Sequence, residues 1–374
     1  MGDVDFNYSN VPFALSCTFD AVLVLAVVAW AARGERPYPR LAVGGAAVLA
    51  VLALKGIVMI RLGLNVSFGV IHVLWLDLVV VLPVAGVAVL CSASLRRHRL
   101  LAVAGVAALL LVPVGAYASF IEPSRTVVER AEVPLAPERA GDRPVRIAVV
   151  ADLQFEHLGG HEREAVATVM AQRPDVILIT GDIHQGSREQ FARQRRDIRA
   201  LLSRLRAPGG VYAVHGDTEG PEKARRIYAG TGIDLLINRA LPVRVNGRAL
   251  TVAGIQVNYR SAPAVGTVGA LERTPGDRDV RILVTHRPDA VYGLRPRSRV
   301  DLTVAGHTHG GQFQLPFAGA PKTASHVPRA VGSGGLHTLS GRRLYVSRGI
   351  GMERGQAPSL RLGAPPEVSV LTLR

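Results

Sequence analysis

The chain has 374 residues, 48% of them hydrophobic, and carries 44 Lys+Arg against 29 Asp+Glu for a formal net charge of +15. That length admits two units, and so apolar a composition, unevenly spread, calls for a membrane part beside a globular part. The positive charge is nearly all arginine, scattered through helical stretches and loops and never gathered into one basic stripe with interleaved aromatics, so no nucleic-acid partner is expected. Attraction to anionic lipid headgroups or phosphorylated substrates is compatible with it.

Four apolar runs occupy the first third, at residues 11–32, 41–60, 68–91 and 100–121. Each is near the ~20 residues that a helix needs to cross a hydrocarbon core, which predicts an α-helical transmembrane bundle over residues 1–121. A cleavable signal peptide is a poor alternative, because the first ten residues carry Asp3 and Asp5 and no positive charge. Arg33, Arg36 and Arg40 lie between the first two runs, and Arg96, Arg97 and Arg99 between the last two. Those loops are expected on the cytoplasmic side, which leaves the chain beyond residue 121 on the extracytoplasmic side of the cell membrane. Asp20, Lys55, His72 and Asp77 fall inside the runs, and the simplest expectation is an Asp paired with Lys55 within the bundle; transport is the less favoured reading, since no transporter-like repeat is visible. Cys17 and Cys91, the two cysteines, also lie in apolar segments, so the globular part must hold any metal through His, carboxylate or amide groups.

Residues 122–143 are rich in Pro, Glu and Arg and lack apolar periodicity, which reads as an extended linker. The globular domain is then 144–374. Residues 145–151 (VRIAVVA) form a continuous apolar run, as expected of a strand buried on both faces, and end on Asp152. A helical stretch follows around residues 162–172. The next strand, residues 175–180, ends on Gly181-Asp182, an Arg-rich helix runs to about Arg206, and residues 211–214 end on His215-Gly216-Asp217. Two further strands, at 281–285 and 301–305, end on His286 and on Gly306-His307-Thr308-His309. Strand–helix alternation argues a largely parallel, doubly covered sheet, with its chemistry at the C-terminal strand ends. Asp and His residues converging there suit two adjacent divalent ions.

The order Asp152, Gly181-Asp182, Gly216-Asp217, His286, Gly306-His307-Thr308-His309 resembles the calcineurin-like metallophosphoesterase superfamily, in particular the bacterial membrane-associated branch in which a Gly-Gly-Gln, here Gly310-Gly311-Gln312, follows the last histidine. The resemblance covers about residues 144–374, including 344–351 and the closing 366–368. It implies a four-layer α/β/β/α sandwich and a two-metal phosphoester hydrolase. By position, Asp182 would bridge both ions, Asp152 and His309 would hold the first, and Asp217, His286 and His307 the second. The glycines about His-Thr-His would let a tight turn aim both imidazoles at the metals.

Where the family shows Asp-x-His, Gly-Asp-x-x-Asp and Gly-Asn-His-Asp/Glu, this chain has Asp152-Leu153-Gln154, Gly181-Asp182-Ile183-His184-Gln185 and Gly216-Asp217-Thr218-Glu219, and three positions change the chemistry. Gln154 replaces an imidazole, and its amide oxygen is a weaker ligand. Asp217 replaces an amide and adds negative charge, so the centre is expected to be oxygen-rich and to favour Mn²⁺ or Fe, with Zn²⁺ possible. Thr218 stands where the leaving-group acid is expected, and a threonine supplies no proton near neutral pH; His215 and His184 are the candidate replacements. The expected function is a membrane-anchored hydrolase of phosphomonoesters or phosphodiesters, lipid-linked or envelope-derived. The alternative is a membrane-tethered binding or sensor domain with a degenerate metal site.

Overall fold

The computed structural model describes residues 13–141 and 143–374; Asp3, Asp5, the first two positions of the first apolar run and Asp142 lie outside the described residues. The chain divides into two compact units, one helical (residues 13–121 together with Glu353–Ser359) and one α/β (Glu122–Met352 and Leu360–Arg374).

The helical unit consists of α1 (Phe13–Ala32), α2 (Pro37–Arg61), α3 (Phe68–Cys91) and α4 (Arg99–Ser124), all long and apolar enough to cross a membrane. Leu15, Leu49, Leu54 and Leu100 point outward and are exposed, the pattern of helices whose solvent is lipid. Small residues let α3 and α4 approach: a Cβ added to Gly86 would lie 2.7 Å from the carbonyl oxygen of Gly105. Lys55 of α2 pairs with Asp20 of α1 and donates to Ser16 Oγ at 2.9 Å, so the ion pair expected within the bundle is present. Inside the same unit, Gln356 Oε1 accepts the Asn65 N–H at 2.6 Å.

The α/β unit contains two six-stranded sheets. The strands are β1 (Val127–Val133), β2 (Val145–Val150), β3 (Val176–Ile179), β4 (Val211–Ala213), β5 (Asp234–Leu235), β6 (Arg239–Val245), β7 (Arg248–Gly254), β8 (Val280–Val284), β9 (Leu302–Ala305), β10 (Gly335–Leu339), β11 (Arg342–Val346) and β12 (Glu367–Leu373). One sheet runs β1-β12-β2-β3-β4-β5 and the other β10-β11-β9-β8-β7-β6. Period-two alternation divides each strand between two layers. Val145, Ile147 and Val149 face Leu250, Ile282, Val284 and Val304 of the second sheet, while Ala148 and Val150 face helices α5 (Gly160–Ala171), α6 (Arg188–Leu202) and α7 (Pro221–Tyr228). Helix α8 (Ala262–Arg273) covers the second sheet's outer face through Ala264, Val268 and Leu271. The result is a four-layer α/β/β/α sandwich. Each fully buried Ile or Leu in its middle layer stabilises the fold by about 1.5–3 kcal/mol.

The predicted linker needs correction. Residues 127–133 form β1, paired in parallel register with β12 from Val127↔Glu367 to Val133↔Leu373. It is an edge strand carrying Glu129, Arg130 and Glu132, and such charges on an edge prevent pairing with other chains while hiding the strand from a hydropathy reading. The domain therefore begins near residue 122. Residues 262–273 form α8, whose N-cap Ser261 accepts the Ala264 N–H at 3.3 Å.

Candidate metal centre

The loops after β2, β3, β4, β8 and β9 bring together the side chains that the motifs singled out. Two groups form, Asp152 with Asp182 and His286, and Asp217 with His286 and His307, each with ligand atoms within 4.8 Å of one another. Asp152, Asp182, His307 and His309 all have positive φ, at 49°, 51°, 72° and 49°. Left-handed backbone at non-glycine residues is costly, about 1–3 kcal/mol each, and its clustering here is what a functional constraint leaves behind. The strand ends pack so closely that a Cβ on Gly216 would fall 2.0 Å from Asp182 Oδ1. Gly310 and Gly311 have φ of 62° and 78°, which closes the turn after His309.

Hydrogen bonds to carbonyl oxygens define the imidazole tautomers, because a carbonyl only accepts. His286 Nδ1 donates to Thr180 O at 2.8 Å, so the lone pair of its neutral form sits on Nε2. That atom lies 3.3 Å from Asp182 Oδ2 and 3.4 Å from Asp217 Oδ2. Likewise His307 Nε2 donates to Ala324 O at 3.2 Å, which turns the Nδ1 lone pair towards Asp217 Oδ2 at 3.1 Å. Lone pairs and carboxylates facing each other require a cation between them. Without one, His286 must hold a proton: burial disfavours its charge, but Asp182 and Asp217 outweigh burial and raise its pKa well above the ordinary value. The donor set thus fits divalent ions held by Asp152, Asp182, Asp217, His286 and His307.

Other groups support the site without joining either group. His309 is buried, with Nε2 lacking a hydrogen-bond partner among the described residues and Nδ1 3.4 Å from Arg361 Nη2. Arg361 is itself fully buried and donates to the carbonyls of Ala364 at 2.8 Å and Arg348 at 2.9 Å. It braces the segment that binds Asp152's backbone through Ile350 N→Ala151 O at 2.9 Å and Gly351 N→Asp152 O at 2.6 Å. Burial pushes Asp152 up to about 8. Glu219 is raised to about 7 by burial and by Asp182, and accepts the Ile183 N–H at 2.8 Å.

A model of the calcineurin-like phosphoesterase family matches residues 145–311, a span that contains Asp152, Asp182, Asp217, His286, His307 and His309. The C-terminal domain is a calcineurin-like metallophosphoesterase. Among its relatives are the uncharacterized metallophosphoesterase YkuE of Bacillus subtilis, 29% identical over 57% of this chain and 72% of that protein, and the phosphodiesterase YaeI of Escherichia coli, 28% identical over 62% and 82%. A dimetal phosphatase from Danio rerio aligns at 14% identity and TM-score 0.35, over 55% of this chain and 88% of that structure.

Within this metallophosphoesterase the departures from the family pattern acquire physical meaning. Gln154 Nε2 donates to Gln185 Oε1 at 3.0 Å, both side chains fully buried, so the two amides form a pair where the family has His and Asp. Asp217 does not add the uncompensated charge expected from the sequence, because Arg287 clamps it with Nε at 2.9 Å and Nη2 at 2.8 Å. Thr218 is no proton donor: its N–H and hydroxyl lie 2.8 and 3.1 Å from Asp182 Oδ1 and orient that carboxylate. His184 is corrected as a candidate acid. It is buried between the rings of Phe155 and Phe191, at 5.7 and 5.6 Å, and burial with Lys223 pushes its pKa down to about 3, so it stays neutral. His215 keeps its candidacy in altered form: Nδ1 donates to Gly216 O at 3.1 Å, leaving buried Nε2 as a proton acceptor without a partner among the described residues. Sequence reasoning missed Gln185, Arg287 and Arg361. The first two were signalled only by adjacency, one closing the Gly-Asp-x-x-Asp motif and the other following His286.

Proposed function

We propose that the chain is a membrane-anchored hydrolase of phosphomonoesters or phosphodiesters with two divalent ions at this centre, working on a lipid-linked or envelope-derived substrate at the extracytoplasmic surface. The observation that carries the reading is the convergence of the His286 Nε2 and His307 Nδ1 lone pairs on the Asp182 and Asp217 carboxylates. The four apolar helices support the anchor, and the Arg-rich loops after α1 and before α4 support the sidedness.

Bound there, two divalent ions supply Lewis acidity to the phosphoryl group and lower the pKa of the attacking water. The chain's own residues do the rest. Because His286 Nδ1 is engaged with Thr180, that ring offers one ligand atom, and the bridging role falls to a carboxylate, assigned to Asp182. Thr218 fixes Asp182 in that orientation, and Asp152 and His309 are assigned to the first ion, with Gln154 presenting an amide oxygen beside them. Three carboxylates and an amide make the donor set oxygen-rich, which supports Mn²⁺ or Fe over Zn²⁺. In this reading His215 Nε2 accepts a proton, and neither Thr218 nor His184, the side chains weighed as leaving-group acids, supplies one at neutral pH. Substrates with good leaving groups are therefore expected to react much faster than alkyl esters.

The test is turnover by the full-length protein in detergent, stripped with chelator and given Mn²⁺, on aryl phosphate and bis-aryl phosphate. Hydrolysis that depends on Mn²⁺ and disappears in Asp182→Asn is expected. Metal binding without turnover above that control would replace this reading with the tethered sensor.

A further inference from the structure

Arg287 follows His286 at the end of β8 and is not a ligand, yet it occupies the ligand cluster. Its fork takes both oxygens of Asp217, while Asp217 Oδ2 also faces His307 Nδ1 at 3.1 Å and His286 Nε2 at 3.4 Å. One carboxylate thus serves two cations, a resident guanidinium and an incoming divalent ion. Its two oxygens offer about four lone-pair directions, so a bidentate arginine leaves room for a further bond at Oδ2 but excludes chelation through both oxygens. Charge follows the same logic. Asp152, Asp182 and Asp217 bring three carboxyl groups to the cluster, and Arg287 returns one positive charge to the carboxylate nearest His307. The guanidinium is partly exposed, 43% by side chain, so the pair does little for stability by itself.

We propose that Arg287 is the built-in counter-cation of the Asp217–His286–His307 site. It holds Asp217 in place before metal arrives, restricts it to coordination through one oxygen, and lowers the affinity of this site for a divalent ion. The inference rests on the two-ion reading of the centre. A positive charge within a few ångströms of a bound dication, partly screened by solvent, changes binding by about tenfold or more.

The experiment is Mn²⁺ titration of the chelator-stripped full-length protein in detergent, followed by the free-ion electron paramagnetic resonance signal, with thermal unfolding measured before and after metal. Arg287→Gln is expected to bind Mn²⁺ at the Asp217–His286–His307 site about tenfold more tightly or better. Its metal-free unfolding midpoint stays near that of the wild type, and the rise on adding Mn²⁺ is larger than in the wild type. Arg287→Lys keeps the charge and breaks the fork, so its affinity stays within about threefold of wild type. Equal or weaker Mn²⁺ binding by Arg287→Gln overturns the proposal. Should that variant not fold, a shift of about tenfold in either direction for Arg287→Lys overturns it instead. These readouts need no turnover: failure of the hydrolase reading appears in the wild type, failure of this inference in the variants.

Discussion

The two sheets contribute to one centre in opposite ways. Loops after β8 and β9 bring His286, His307 and His309 in the family's own pattern, each ring oriented by a neighbour outside the ligand set: Thr180, Ala324 or Arg361. Loops after β2, β3 and β4 carry the departures, and each departing residue has a partner: Gln154 with Gln185, Asp217 with Arg287, Thr218 with Asp182. Paired replacement is the mark of a rebuilt site. A decaying site loses single ligands and leaves their former partners buried and unsatisfied, at about 1–3 kcal/mol per group.

The largest expected effect is that of Asp182→Asn, which removes the carboxylate proposed to bridge the two ions; turnover on aryl phosphate should fall to the rate of Mn²⁺ in buffer. Next comes the amide pair. Gln185→Ala should weaken Mn²⁺ binding by about 10–100-fold, as losing the partner of a ligand does, and Gln154→Ala/Gln185→Ala should be no worse than the worse single variant. Additive losses in calorimetric titrations would mean that the two amides act separately, and the contrast between the sheets would weaken.

A smaller effect concerns stability against pH. His184 has a folded pKa of about 3 against 6.5 when unfolded, so the unfolded chain takes up a proton that the folded chain refuses. Stability from this ring is complete above pH 6.5 and is lost as pH falls from 6.5 towards 3. Replacing it in His184→Gln should flatten the dependence of the unfolding midpoint between pH 6.5 and 4; an unchanged slope would show that other groups set it. Least of all should the helices matter to chemistry. Neutralising Asp20, Lys55 and Asp77 together is expected to leave turnover in detergent at the wild-type level, and a loss would tie the bundle to the active site.

Much of this was legible in the sequence because buried strands are short continuous apolar runs, and the residue ending each one, from Asp152 to His307, falls at the C-terminal edge. The helices α1 to α4 were equally plain, since each is an apolar run of the length that a membrane span would need. Strand β1 was not, because an edge strand tolerates Glu129, Arg130 and Glu132 and so mimics a linker. Arg287 and Gln185 were hidden for another reason: their roles depend on which side chain each meets from a distant loop, Asp217 being 70 positions from Arg287 and Gln154 31 from Gln185. Separation in sequence, here 36 positions, also explains why Thr218 read as a missing acid until its bond to Asp182 gave it work.

The account stands most directly on Mn²⁺-dependent hydrolysis of aryl phosphate by the full-length, chelator-stripped protein, measured beside Asp182→Asn. It predicts hydrolysis that appears with Mn²⁺ in the wild type and is absent from the variant. Equal rates in the two proteins would contradict it.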